Sequence, residues 1–336
     1  MRILLIGDLT GQLDEGMKKT THHLGRHLAQ QHEVQVVHPR SLLNLKGIQQ
    51  AVRFEPDIVH YIHGPTIRSF LLTKGLSFCL QQSITIMSAP RPMLSRTSEH
   101  LIPFLNPDLM LVQSSHERER FERLGCKVSF LPGGVLLEKF KPVSLEQKLV
   151  LRQRYGFLAI PPIILHVGHI TEDRGVALLG KIRERLDRAA DFIIIGATTM
   201  RPEDEIIRSL EGSGCKVLVG YVERIEEFYQ MADCYVFPGM GKSPAIEIPL
   251  TVLEALACNL PVVSSPFGGL PELFKDRVDG LSFATTVDSF VYEIQQYTDG
   301  SKKVLNTRKM VEPLSWASVA KKLLDTYDEL ITNAAR

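Results

Sequence analysis

The sequence lacks any stretch approaching the roughly 18 uncharged apolar residues that a bilayer-spanning helix needs. Its first residues, MRILLIGDL, lack the long apolar core and cleavage site of a secretory signal. The expectation is a cytoplasmic chain whose membrane contact, if it has any, is peripheral at the inner face. No C-x-x-C pair occurs. The five cysteines (Cys79, Cys126, Cys215, Cys234 and Cys258) are scattered, which argues against a disulfide frame or a zinc site and fits reduced thiols. Cys234 and Cys258 lie in apolar segments and are expected in the core. The formal net charge is only +1, so no global field points to nucleic acid. Low-complexity tracts and short internal repeats are also missing.

What is present is enough chain for more than one core. At 336 residues, two domains are expected, and 44% apolar with 23% charged residues is an ordinary globular composition. Residues 1–150 carry 18 Lys+Arg against 13 Asp+Glu and nine of the eleven histidines. That imbalance is either ordinary surface charge or an attraction to an anionic acceptor or membrane surface.

Strand and helix patterns alternate, which predicts parallel sheets with crossover helices. Arg2–Ile6 reads as a buried first strand, followed by a glycine-containing loop from Asp8 to Gly16 and a helix near Met17–Gln30. Strands follow at Val34–Val37, Ile58–Tyr61, Ile84–Met87, Leu109–Val112 and Val128–Leu131, with a helix at His116–Leu124 ending on Gly125. Near 135–160 the rhythm breaks into a charged helical patch and Ile160-Pro161-Pro162, as at an inter-domain linker. It restarts with strand Ile163–Val167, loop Gly168–Gly175 and helix Val176–Leu186. Strands at Phe192–Ile195, Val217–Val219, Cys234–Phe237 and Pro261–Ser264 follow, with helices at Glu226–Met231 and Pro249–Cys258. A closing amphipathic helix, Ser315–Ile331, spaces Trp316, Val319, Ala320, Leu323, Leu324, Tyr327 and Leu330 along one face.

Several motifs occur in a fixed order. They are Pro56-Asp57-Ile58-Val59-His60, Leu131-Pro132-Gly133-Gly134-Val135, Val167-Gly168-His169 with Arg174-Gly175, and Gly220-Tyr221-Val222. Tyr229-Gln230-Met231-Ala232-Asp233, Leu253-Glu254-Ala255-Leu256-Ala257, Gly268-Gly269-Leu270-Pro271-Glu272 and Ser315-Trp316 follow. Over nearly the whole chain this set resembles the family-four, group 1 type of retaining glycosyltransferases. The resemblance implies the α/β GT-B fold: two Rossmann-like domains facing a central cleft, with the C-terminal helix packing back toward the N-domain. It places the acceptor side in 1–150, the donor side in 151–315 and the returning helix in 316–336. It implies sugar transfer from a nucleotide-diphosphate sugar to the hydroxyl of a sugar, lipid-linked or small-molecule acceptor, with retention, no cofactor and no metal, the domains closing to exclude water.

Diphosphate binding needs cations and backbone N–H groups, which glycine-rich loops opening helices supply. Gly268-Gly269 and the Gly11–Gly16 loop, with Gly16 at the helix start, suit that use, and turn-forming is the alternative. The family's Arg and Lys after the first C-domain strand fall on His169 and Arg174, candidates to stabilise the departing diphosphate. Arg174 is always charged; His169 is charged only if its pKa is high enough. The family's two carboxylates fall on Ile246 and Glu254. Glu254 is a ribose candidate, and Glu247, one residue after Ile246, is a candidate for the donor sugar. Base recognition in the family leans on backbone near Gly220 and Val222. The family's N-domain histidine loop reads Ser88-Ala89-Pro90-Arg91-Pro92 here, which leaves Arg91, His60 and His63 as alternative site residues. Gly133 and Leu136 replace a family Asn and Asp. These departures support a second reading, a non-catalytic GT-B partner or regulatory protein. A GT-B epimerase is a third.

Overall fold

The computed structural model describes residues 1–13, 15–186, 190–197, 202–239, 245–299 and 305–334. Asp14, in the expected Asp8–Gly16 loop, lies outside them. The chain divides into two compact units. Unit 1 comprises Met1–Gly134, Ile246–Ile248 and Trp316–Arg336, and unit 2 comprises Val135–Ala245 and Pro249–Ser315.

Unit 1 begins β1 (Arg2–Ile6), α1 (Gly16–Leu28), β2 (Glu33–Val37), α2 (Leu45–Phe54), β3 (Ile58–Tyr61), α3 (Ile67–Cys79) and β4 (Ile84–Ala89). It continues with α4 (Arg96–Glu99), β5 (Leu109–Val112), α5 (Ser115–Arg123) and β6 (Val128–Phe130). Unit 2 opens with α6 (Leu145–Arg154), β7 (Ile163–Gly168), α7 (Ala177–Arg185), β8 (Asp191–Gly196), α8 (Asp204–Gly212) and β9 (Lys216–Val219). Then come α9 (Ile225–Met231), β10 (Cys234–Phe237), α10 (Leu250–Ala257), β11 (Val262–Ser264) and α11 (Leu270–Leu273). β12 (Leu281–Phe283), α12 (Val287–Thr298) and α13 (Arg308–Val311) complete it, before α14 (Trp316–Ala334) returns to unit 1.

Each unit holds a parallel six-stranded sheet, ordered β2-β1-β3-β4-β5-β6 in unit 1 and β12-β11-β10-β7-β8-β9 in unit 2. The strands read as continuous apolar runs because crossover helices bury both faces of a parallel sheet. Ile3, Leu4, Leu5 and Ile6 of β1 are all fully buried, as are Ile193 and Ile194 of β8. Strand order reverses between β1 and β3 in unit 1, and between β7 and β10 in unit 2. Doubly wound sheets build their sites at such switch points, beyond the carboxyl ends of the strands.

The same aspartate device pins both switch points. Asp57, entering β3, accepts the Arg2 N–H at 2.6 Å and donates its own N–H to the Arg2 carbonyl. Asp233, entering β10, does the same to Ile163, its carboxylate accepting that N–H at 2.7 Å. Two of the sequence motifs, Pro56-Asp57 and Ala232-Asp233, therefore set strand register.

Residues 135–154 pack within unit 2. Lys148 reaches the Asp233 carboxylate at 2.7 Å, and Arg152 donates to Asp233 and to the Met231 and Ala159 carbonyls. In unit 1, α14 lies on α1 and buries Trp316, Val319, Ala320, Leu323 and Tyr327. Gly134 makes room for Trp316, since a Cβ there would stand 2.5 Å from the indole ring. Cys234 and Cys258 are buried, as their apolar surroundings suggested.

Candidate functional site

Unit 2 builds its candidate site at the β7/β10 switch point. The loop leaving β7 carries His169, then a single 3-10 turn over Glu172–Arg174 that ends on Gly175 in the left-handed region, with φ 69°. That turn brings Arg174 back so that its Nη2 lies 3.2 Å from His169 Nδ1. A guanidinium can only donate, so His169 Nδ1 is the acceptor and the ring proton sits on Nε2. The pair presents one permanent cation beside one imidazole N–H, a donor set suited to phosphate oxygens.

Across the switch point, Tyr235 on β10 donates its hydroxyl to the Val167 carbonyl at 3.2 Å. Burial drives its pKa far up. A hydrogen bond with Thr251 opposes the rise, Glu254 adds to it and Arg174 opposes it. Glu254 sits on α10, whose N-cap is Pro249, and it is 3% exposed. Tyr229 donates to Glu254 Oε2 at 3.0 Å, and its ring packs 5.7 Å from that of Tyr235. Burial, and then the Glu254 charge, push the Tyr229 phenol well above its usual range.

His166, also on β7, is 4% exposed. Its Nδ1 is 2.9 Å from the Val236 carbonyl, and its Nε2 is buried without a hydrogen-bond partner among the described residues. Burial lowers its pKa to about 4, partly offset by the Val236 hydrogen bond and reinforced by Arg174, so the ring is neutral near pH 7.

The remaining expected residues are spread more widely. Gly268 (φ 53°) and Gly269 form the turn into α11, which is only four residues long. Gly220 has φ 144°, a conformation open chiefly to glycine, with open space where a Cβ would stand; Val222 is half-buried nearby in sequence.

Gly16 and Glu247 both belong to unit 1. Gly16 opens α1, and a Cβ there would stand 2.8 Å from Ile246 Cδ1. The apolar side chain at the family's carboxylate position thus rests on the helix start expected to meet phosphate. The next residues are tied to the same unit. Glu247 donates its N–H to the Pro90 carbonyl at 2.7 Å, and Ile248 donates to Gln113 Oε1 at 3.3 Å.

His60 is a core residue. It is fully buried, with Nδ1 2.6 Å from the Tyr327 hydroxyl and Nε2 2.7 Å from Ser88 Oγ, and burial lowers its pKa to about 3. His63 stays at the carboxyl end of β3, beside Asp8, at the switch point of unit 1. Among the described residues no group of three or more His, Cys, Asp or Glu side chains is arranged to hold a metal, and no helix is long and apolar enough to cross a membrane.

Sequence reasoning gave Tyr229 only as the start of a motif and Tyr235 and His166 only as strand residues, and used Asp8 only as a loop boundary. The available signal was their position: Asp8 directly follows β1, and the other three lie on or just before the two strands that flank the unit 2 switch point.

Residues 161–299 match the family of glycosyl transferases, group 1. The chain is 30% identical over 198 residues to an uncharacterized glycosyltransferase of Methanocaldococcus jannaschii, covering 55% of this chain and 49% of that protein. It is 27% identical over 246 residues to a D-inositol 3-phosphate glycosyltransferase of Xylanimonas cellulosilytica, covering 66% and 56%. The chain spans about half the length of these curated relatives. Among solved structures, Anabaena HepE in complex with UDP and glucose superposes with a TM-score of 0.79 at 16% identity, covering 98% of this chain and 100% of that one. Sucrose-phosphate synthase from Thermosynechococcus elongatus gives 0.75 at 17% identity, covering 99% of each. These likenesses establish the GT-B fold. The family match covers residues 161–299, most of them in unit 2.

Proposed function

We propose that the chain is a glycosyltransferase that binds a nucleotide-diphosphate sugar on unit 2 and transfers the sugar, with retention, to an acceptor hydroxyl. The observation that carries the reading is the Arg174–His169 pair in the loop leaving β7 at the switch point, with the buried Glu254 of α10 held by Tyr229. In this reading Arg174 and the His169 Nε2–H hold the diphosphate and stabilise its charge as it leaves. Glu254 accepts the ribose hydroxyls, with Tyr229 orienting its carboxylate. The Gly268–Gly269 turn and the backbone at Gly220 and Val222 line the nucleotide, and the family resemblance alone makes Gly16 a candidate for phosphate and Glu247 a candidate for the donor sugar. Retention rests on the family resemblance, as does the absence of a metal. The Anabaena structures hold UDP, which makes uridine diphosphate the first nucleotide to try.

Calorimetric titration of UDP, GDP and ADP, each with and without a sugar attached, tests this. One nucleotide should bind selectively. Arg174→Ala and Glu254→Ala should each weaken it about tenfold to a hundredfold, the cost of a hydrogen bond to a charged group. Binding by none of them would overturn the donor site. The anomeric configuration of the product, read by NMR, tests retention.

The contact between Ile246 and Gly16 favours a second reading, a GT-B partner protein that keeps nucleotide binding but not transfer. Nucleotide binding without turnover in the presence of any acceptor would select it.

A further inference from the structure

The switch point of unit 1 holds a polar cluster that the donor reading leaves unused. Asp8 follows β1, His63 follows β3, His38 follows β2, and Lys18 lies in the first turn of α1. Asp8 Oδ1 accepts the Thr10 N–H at 2.7 Å and the Thr10 hydroxyl at 2.6 Å. Lys18 Nζ donates to the Thr10 carbonyl at 2.8 Å and stands 3.8 Å from Asp8 Oδ2, beyond hydrogen-bond reach. His38 Nε2 lies 3.7 Å from Asp8 Oδ1, and its Nδ1 accepts the Arg40 N–H. The Asp8 N–H points at His63 Nδ1, 3.4 Å away.

We propose that this end of the β1–β3 pair binds a neutral polyol, the hydroxyl-bearing ring of a sugar or cyclitol, through the Asp8 carboxylate and the His63 imidazole. The inference rests on the transferase reading and gives its acceptor a place and a chemical class.

Burial works to raise the Asp8 pKa. The Thr10 hydrogen bonds, Lys18 and His38 overcome it, so the carboxyl sits below its ordinary range and is ionised. Burial lowers His63 to about 4, with Asp8 opposing and His38 and Lys18 reinforcing, so the ring is neutral. Its Nδ1 accepts from Asp8, which leaves the proton on Nε2. Two groups then lack a hydrogen-bond partner among the described residues: Asp8 Oδ2, an acceptor, and His63 Nε2–H, a donor.

A hydroxyl donates once and accepts through its lone pairs, so vicinal hydroxyls satisfy both kinds of group at once. A phosphate or carboxylate ligand would meet the ionised Asp8 with like charge, which argues against an anionic group at this position. Lys18, 8% exposed and held by the loop carbonyl, fixes the loop and neutralises part of the Asp8 charge.

Saturation-transfer NMR on the full chain, with D-glucose as the probe, tests the site. The wild type should show ring-proton saturation with a Kd on the order of millimolar, as expected for a ligand of this size. Asp8→Asn, which can keep the turn to Thr10, and His63→Gln should each weaken binding about tenfold. Both variants should bind UDP as the wild type does, so loss of the polyol is distinguishable from failure of the donor reading. Methyl and octyl glucosides separate two sources of the ring. Equal affinities assign a free sugar, and tighter octyl glucoside binding that still falls in Asp8→Asn assigns a lipid-borne one. The proposal is overturned if glucose fails to bind the wild type, if both variants bind it unchanged, or if glucose 1-phosphate binds tighter than glucose and does so equally in Asp8→Asn.

Discussion

The two units solve the same folding problem with different strand orders. Counting strands within each unit, unit 1 runs 2-1-3-4-5-6 and unit 2 runs 3-2-1-4-5-6. Each reverses direction once, and each pins the strand across its reversal with an aspartate that takes the first strand's N–H. The scaffold is shared, but the chemistry at the two reversals is not. Unit 1 gathers an ionised carboxylate, a buried lysine and two histidines from four loops and helices. Unit 2 gathers an arginine–imidazole pair, two buried phenols and a buried glutamate. A doubly wound sheet fixes where a site stands, and the residues just beyond the strand ends fix what it can hold.

The largest expected difference between the units is their response to acid. His23 and His60 are held near 3 and His63 near 4 in unit 1, against His166 near 4 in unit 2, in each case chiefly by burial. A base whose folded pKa lies below its unfolded value near 6.5 binds more protons unfolded. Its stabilising contribution is therefore full above that value and is lost as pH falls toward 4 and then 3. Each such histidine costs about 2 kcal/mol at pH 5 relative to pH 7. Unit 1 should therefore weaken about three times as much as unit 2. The lone tryptophan, Trp316, is buried in unit 1 and stacked 5.3 Å from His23, so its fluorescence reports on unit 1, whereas far-UV circular dichroism reports on both. Urea midpoints from the two signals should separate on going from pH 7 to pH 5. Coincident midpoints at both values would break the comparison.

Next in size is Arg152→Ala. It removes one of two cations from the Asp233 carboxylate, which keeps Lys148, and leaves the Met231 and Ala159 carbonyls without this donor, at a cost of about 1–3 kcal/mol. The loss should appear in the circular-dichroism transition, with the Trp316 transition unmoved. Equal loss in both signals would show that the units unfold as one.

Smallest is Gly16→Ala. The new methyl crowds Ile246 Cδ1, the end of a side chain that can turn, and meets Cγ1 and Cγ2 at ordinary contact distance, so the expected loss in unit 1 is below about 1 kcal/mol and should vanish in the double variant with Ile246→Ala. A loss that persists in the double variant would mean that the backbone at the start of α1, rather than this contact, requires glycine.

Much of the scaffold was legible residue by residue. β1, β3, β5 and β10 occupy the apolar runs read from the sequence because each is bounded by a charge, a glycine or a proline. β12 escaped because three residues are too few for a pattern, and α3 because its mixed polar and apolar Ile67–Cys79 stretch shows little amphipathic period. Residues near 135–160 read as a linker because Lys148 and Arg152 look solvent-facing until Asp233, about 80 positions later, arrives beside them.

The candidate sites divide in the same way. His169 and Arg174 are five residues apart, so one local turn brings together two residues that the family resemblance had singled out. Asp8, Lys18, His38 and His63 are spread over 55 positions, and no local rule joins them. The sequence by itself determined the alternation of elements, hence two parallel sheets, because apolar period and punctuation act over a few residues. Only the tertiary structure decided that His60 is core, that Ile246 rests on Gly16, and that an ionised carboxylate and a neutral imidazole meet at the end of β1. Burial and partner, which set protonation and free valence, are properties of chain segments brought together from far apart.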